Sequence, residues 1–123
     1  MTTTLSIGTV AARTGLAVSA VRYYDEIDLI ETAERVGGKR RFDPATVGRV
    51  NFIRRCQEAG LALDEIRRML DDTDGSWRDL VDAKIGELER RRTELDEMIA
   101  FLVEMSDCGC TVVATCPRRA DWC

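Results

Sequence analysis

The chain has 123 residues, 45% hydrophobic and 33% charged, with five cysteines, only two prolines and no histidine. That length holds one compact domain and an appendage, and nothing in the composition reads as a disordered tract. Without histidine the commonest general base is gone; no glycine-rich phosphate loop follows a strand, and no stretch approaches a membrane span or a secretory leader. The expectation is a non-enzymatic, cytoplasmic protein with no membrane partner.

The net charge of −4 is unevenly spread: residues 1–60 carry nine Lys and Arg against seven Asp and Glu, and residues 61–123 carry nine against fifteen. Contact with a polyanion therefore belongs to the first half, where Arg35, Lys39, Arg40 and Arg41 lie close together. In chain order, Ile7, Val10 and Ala11 recur at helical spacing, with Ser6 as N-cap and Gly15 as stop. The period resumes from Ser19 to Asp28, with Val18, Val21 and Tyr24 on one face. Two helices around a glycine turn make a helix-turn-helix candidate. Leu29-Ile30 and Arg41-Phe42 flank Val36-Gly37-Gly38-Lys39, which predicts two short strands closed by a glycine turn, a basic wing. Asp43-Pro44 opens a third helix with Val47, Val50, Ile53 and Cys56 inward, and Gly60 ends it. A fourth runs from Leu63 to about Leu70, and the breaker cluster Asp71-Asp72-Thr73-Asp74-Gly75 marks a domain boundary. The expected organisation is a head over residues 1–74, a helix over 75–106, and a cysteine-bearing loop and tail over 107–123.

From Trp77 to Met105 there is no proline, and Val81, Leu88, Leu95 and Leu102 are spaced by seven, with Ile85 and Ile99 alternating and Arg92 the misfit. These residues predict a rod of about 43 Å at ~1.5 Å per residue. An apolar seam along an isolated helix has nothing to bury against, so the rod calls for the same helix of a second chain. Arg90, Arg91 and Arg92 read as a solvated face paired with Glu87, Glu94 and Asp96, and Trp77 as an anchor against the head.

Beyond the rod, Cys108, Cys110 and Cys116 are clustered in a polar loop, where core packing does not explain them. Structural disulfides are disfavoured in a compartment that keeps thiols reduced. Cys56, at the helical spacing of Val50 and Ile53, reads as a small core residue instead. Cys123 is left open.

The run Leu16-Ala17-Val18-Ser19-Ala20-Val21-Arg22-Tyr23-Tyr24-Asp25-Glu26, followed by Gly37-Gly38-Lys39-Arg40-Arg41-Phe42, resembles the MerR family of winged-helix transcription regulators. Trp77 to Arg119 is similar to the SoxR-type branch, in which a dimerisation helix leads into Cys-Gly-Cys, five residues, then Cys-Pro; Cys108, Gly109, Cys110, Cys116 and Pro117 fit that loop. The resemblance implies a mostly α fold: a winged helix-turn-helix DNA-binding head and a long C-terminal dimerisation helix in an antiparallel coiled coil. It implies a homodimer on double-stranded promoter DNA, with RNA polymerase at the promoter, that twists and bends the duplex when its sensor is loaded. Position by position, it places Ser19, Arg22 and Tyr23 on the recognition helix and Lys39, Arg40 and Arg41 on a wing that grips phosphates.

At one position the chain departs from the SoxR-type pattern: Met105 stands where a fourth cysteine is expected. A thioether is a neutral, weak donor beside the thiolates that hold iron–sulfur clusters. Cys108 and Cys116-Pro117 also resemble the paired cysteines of copper- and mercury-type MerR regulators. Cys108, Cys110 and Cys116 are therefore expected to hold a soft metal ion (copper, mercury or zinc), with a 2Fe-2S cluster as the alternative cofactor and a metal-free redox thiol pair as a third reading. The competing class, a small thiol redox or metal-carrier protein using Cys-Gly-Cys, leaves the winged head unexplained.

Overall fold

In a computed structural model, residues 3–118 are described, so Cys123 lies outside the described residues. The chain divides into two units, one ending at Leu80 and one starting at Val81.

In the first unit, Leu5–Ser6 form strand β1, and Ser6 also starts helix α1 (Ile7–Thr14), its Oγ accepting the Thr9 N–H at 3.1 Å. Gly15 closes α1 at φ 72°, a left-handed exit that glycine takes without strain. Helix α2 (Val18–Glu26) follows, and Val10, Ala11, Val21 and Tyr24 turn into the core. Tyr24 reaches across to donate its hydroxyl hydrogen to Gln57 Oε1.

The chain leaves α2 through Asp28 at φ 62°, which lets the Leu29 N–H donate to the Tyr24 carbonyl at 2.9 Å. Aspartate is one of the few non-glycine residues that enter this region readily. The turn sends Leu29 and Ile30 into the core at 1% exposure each, so these two residues do not flank the wing as strand residues. The first wing strand, β2, starts later, at Glu34–Val36, and β3 spans Lys39–Phe42. Gly37 and Gly38 between them both have positive φ, 58° and 78°, the conformation of a two-residue hairpin turn whose twist matches its strands. The sheet has three strands, ordered β1-β3-β2, with Leu5 opposite Phe42 and Ser6 opposite Arg41. The β1 pairing was not expected from sequence, because two residues show no alternation.

Helix α3 (Ala45–Glu58) begins where Asp43 Oδ1 accepts the Ala45 N–H at 2.8 Å, and it buries Val50, Ile53 and Cys56. Burial pushes the Cys56 thiol pKa up, in keeping with an inert core residue. Helix α4 (Leu63–Asp71) adds Ile66, completing a core with Phe42 and Leu29.

Helix α5 runs from Trp77 to Asp107, 31 residues, two past the expected end, or about 46 Å at ~1.5 Å per residue. Asp72 prepares its start: one carboxylate oxygen accepts the Gly75 N–H at 2.9 Å and the other the Ser76 hydroxyl at 2.7 Å. The Ser76 hydroxyl and further hydrogen bonds hold this carboxyl well below the usual range. In this first turn the Arg78 guanidinium lies 4.5 Å from the centre of the half-buried Trp77 ring, and Leu80 packs against the core. No residue of α5 is buried in the single chain.

Candidate nucleic-acid interface and thiol centre

Burying Val21 and Tyr24 leaves the opposite face of α2 outward, and Ser19, Arg22 and Tyr23 are all exposed there. A concave groove of about 800 Å³ is lined by Arg22 of α2, by Ser6 and Gly8 at the start of α1, and by Arg35, Lys39, Arg40 and Arg41 of the wing. The fold therefore draws Arg22 together with the four expected cations Arg35, Lys39, Arg40 and Arg41. Ser19 and Tyr23 do not line the groove but share the exposed face of α2. Five cations around one concavity suit a phosphate backbone, where each neutralised phosphate releases counterions.

The wing cations do not have equal freedom. The Arg40 guanidinium lies 3.1 Å from Asp25 Oδ2, and the same carboxylate accepts the Thr32 hydroxyl at 3.0 and 3.1 Å. Arg41 donates through Nε to the Thr4 hydroxyl at 3.1 Å and through Nη2 to the Thr4 carbonyl at 2.7 Å. Arg40 thus ties the wing to α2, and Arg41 ties β3 to the chain entering β1. Arg22, Arg35 and Lys39 are the exposed members of the set. Asp25, Thr32 and Thr4 were missed in the sequence because their partners lie in other elements, 7 to 37 residues away. Asp25→Asn is expected to weaken operator binding about fivefold, since a partly exposed ion pair contributes about 1 kcal/mol, while leaving the salt dependence unchanged. Lys39→Ala should instead lower the slope of log affinity against log salt by about one. Gel shifts over a salt series separate the two, and an altered slope in Asp25→Asn would contradict the bracing role.

At the far end of α5 the Cys108 N–H donates to the Met105 carbonyl at 3.2 Å, closing the last turn. A short 3-10 turn, Val113–Thr115, then brings the chain back, and the Cys116 N–H donates to the Val113 carbonyl at 3.1 Å. The result is convergence: Cys108 and Cys116 Sγ are 3.2 Å apart, and the Sγ atoms of Cys108, Cys110 and Cys116 all lie within 4.8 Å of one another. Cys116 is buried, Cys108 half-buried and Cys110 exposed. The three cysteines, Met105 and Val113 line a small void of about 30 Å³.

The Cys110 backbone N–H, followed by the neighbouring thiols and Arg118, draws the Cys108 pKa below the ordinary thiol value. Cys110 is pushed up to about 12, first by its hydrogen bonds to Cys116 and Cys108 and then by desolvation and charge repulsion. Alkylation follows the thiolate fraction. In metal-free protein near neutral pH, iodoacetamide should therefore modify Cys108 before Cys110, with Cys110 gaining only as the pH rises; peptide mass spectrometry reads the order, and the reverse order would contradict the assignment. As a donor set, three thiols that can ionise fit a soft metal ion, which prefers sulfur to oxygen.

Residues 5–73 match the family described as MerR HTH family regulatory protein, and residues 47–105 match the one described as MerR, DNA binding. The HTH-type transcriptional activator SoxR homolog of Chromobacterium violaceum is 32% identical over 127 aligned residues, covering 92% of this chain and 81% of that protein. The mercuric resistance operon regulatory protein of Bacillus cereus is 31% identical over 122 residues, covering 94% and 87%. The solved structure of the transcription regulator PbrR691 from Ralstonia metallidurans CH34, in complex with lead(II), is similar with a TM-score of 0.71 and 28% identity, over 97% of this chain and 99% of that one.

Proposed function

This chain belongs to the MerR family of helix-turn-helix transcription regulators, and on that premise we propose that it acts as a homodimer on promoter DNA and reports soft metal ions through Cys108, Cys110 and Cys116. The observation that carries the proposal is the convergence of those three thiols at the end of the long helix of a chain whose head presents a basic groove. The names of its relatives, which include mercuric resistance regulators and a regulator crystallised with lead(II), support a metal as the signal.

In this reading Arg22, Arg35 and Lys39 meet phosphates, while Ser19 and Tyr23 extend the contact along α2 and Arg40 and Arg41 hold the wing in place. The apolar seam of α5 pairs with the same seam of a second chain in an antiparallel coiled coil, which matches the symmetry of a palindromic operator. A bound soft ion would link the last turn of α5 to the buried Cys116 through metal–sulfur bonds. The consequence is a bias in how the paired heads hold the duplex, changing its twist before RNA polymerase.

The test is a gel shift against upstream DNA over a salt series. Sequence-selective retention is expected, at least about 10³-fold tighter than non-specific DNA, with affinity falling steeply as salt rises. Failure to retain any upstream region at low salt would overturn the reading in favour of a thiol carrier.

The 3.2 Å approach of Cys108 and Cys116 also favours a second signal. Oxidation by a hydroperoxide would join the two sulfurs, with loss of two protons and two electrons, as the peroxide is reduced to an alcohol and water. Intact mass distinguishes the two signals, because only the oxidised chain loses two hydrogens.

A further inference from the structure

Met105 lies in the last turn of α5, three residues before Cys108, which follows the end of that helix, and Met105 lines the same small void as the three thiols. Resting on the metal-sensing reading above, we infer that this centre is built for one soft ion held by three thiolates and the Met105 thioether, and not for a [2Fe–2S] cluster.

Span is the first argument. Metal–sulfur bonds of about 2.3 Å set the ligand sulfurs of a single tetrahedral or trigonal ion about 3.8–4.0 Å apart. Cys108 and Cys116 Sγ stand 3.2 Å apart and no two of the three Sγ atoms are more than 4.8 Å apart, a range that spans that spacing. A binuclear cluster divides its protein thiolates between two irons with sulfides bridging them, so thiolates on different irons stand farther apart than ligands of one ion. Here all three are drawn onto one point, around a void of about 30 Å³.

Donor chemistry is the second. A cluster takes four cysteine thiolates, whereas the fourth sulfur beside this void is a neutral thioether. Thiolate and thioether together are the donors that select Cu(I), and a neutral fourth donor adds a bond without adding charge to a partly buried site. Methionine also fills irregular apolar gaps with no ligand role at all. Leucine would serve equally well as such a wall, which makes Met105→Leu the diagnostic substitution.

The experiment uses full-length protein without oxygen. Cu(I) is titrated in competition with a chromophoric chelator, and selenomethionine-labelled protein is examined by X-ray absorption at the selenium edge. Met105→Leu should bind Cu(I) at least about tenfold more weakly, with the thermal unfolding of the metal-free protein unchanged, and labelled wild type should show copper beside selenium where labelled Met105→Leu does not. Equal Cu(I) affinity in the two proteins, with no copper at selenium, would overturn the inference and leave the metal-sensing reading standing. Wild type that takes up no Cu(I) at all would remove the inference along with its premise. Reconstitution with ferrous iron and sulfide should leave the wild type colourless; visible bands with two irons per chain would overturn the single-ion site.

Discussion

Leu95→Glu is expected to leave the head folded, turn the protein into a monomer and weaken operator binding by about 10²–10⁴-fold, the range over which linking two binding modules raises avidity. Leu95 lies near the middle of α5 and is 56% exposed in the single chain, as are its seam neighbours Leu88, Ile99 and Leu102 at 40%, 58% and 58%. Burying each of these side chains contributes about 1.5–3 kcal/mol, and a helix of this length with no buried residue of its own needs that burial from a partner. A carboxylate at the centre of the paired seam would stand in apolar surroundings without a partner, a far larger penalty than losing one leucine contact. Sedimentation equilibrium and gel shifts on the same samples test this: a Leu95→Glu dimer with full operator affinity would place the dimer interface elsewhere.

Cys116→Ser should have the opposite profile. Operator affinity is expected to stay within about twofold, because the groove cations all precede α3 in the chain, while the transcriptional response to soft metal ions is lost. Cys116 is the buried member of the three thiols, at 7% exposure, and serine keeps its size while replacing a soft donor with a hard, weak one. Coupling between an effector site and a second site typically amounts to about 1–3 kcal/mol, so about a 5- to 150-fold inducible change in output is at stake. A promoter–reporter assay with graded Cu(I) reads it. A Cys116→Ser regulator that still responded fully would mean that the loop is not the sensor.

Much of this architecture is legible in local chemistry. Ser6 and Gly15 bracket α1, paired glycines close the wing, and the unbroken apolar spacing from Val81 to Leu102 predicts the long helix. These signals are readable because each lies within a few residues of the structure it dictates. The strand formed by Leu5 and Ser6 was not legible, since its existence depends on Arg41 and Phe42 far along the chain. Leu29 and Ile30 looked like strand residues because apolar residues beside a glycine hairpin usually are; a left-handed turn at Asp28 takes them into the core instead.

The site residues divide in the same way. The spacing of Cys108, Cys110 and Cys116 already implied convergence, and Arg22, Lys39, Arg40 and Arg41 do line one groove. Spacing could not reveal that Arg40 is held by Asp25, or that Cys116 is the buried thiol while Cys110 faces solvent. Nor could spacing show that Glu87 makes its direct ion pair with Lys84 at 3.0 Å, one turn before it, with Arg91 and Arg90 acting on it only as nearby charges.

The claim that metal occupancy at the thiols alters the geometry of bound DNA is tested most directly by fluorescence energy transfer between the ends of a labelled operator duplex held by the dimer. Addition of Cu(I) is expected to shift the transfer efficiency with the wild-type protein and to leave it unchanged with Cys116→Ser. An unchanged efficiency on wild-type protein shown to be saturated with Cu(I) and still bound to the duplex would contradict the account.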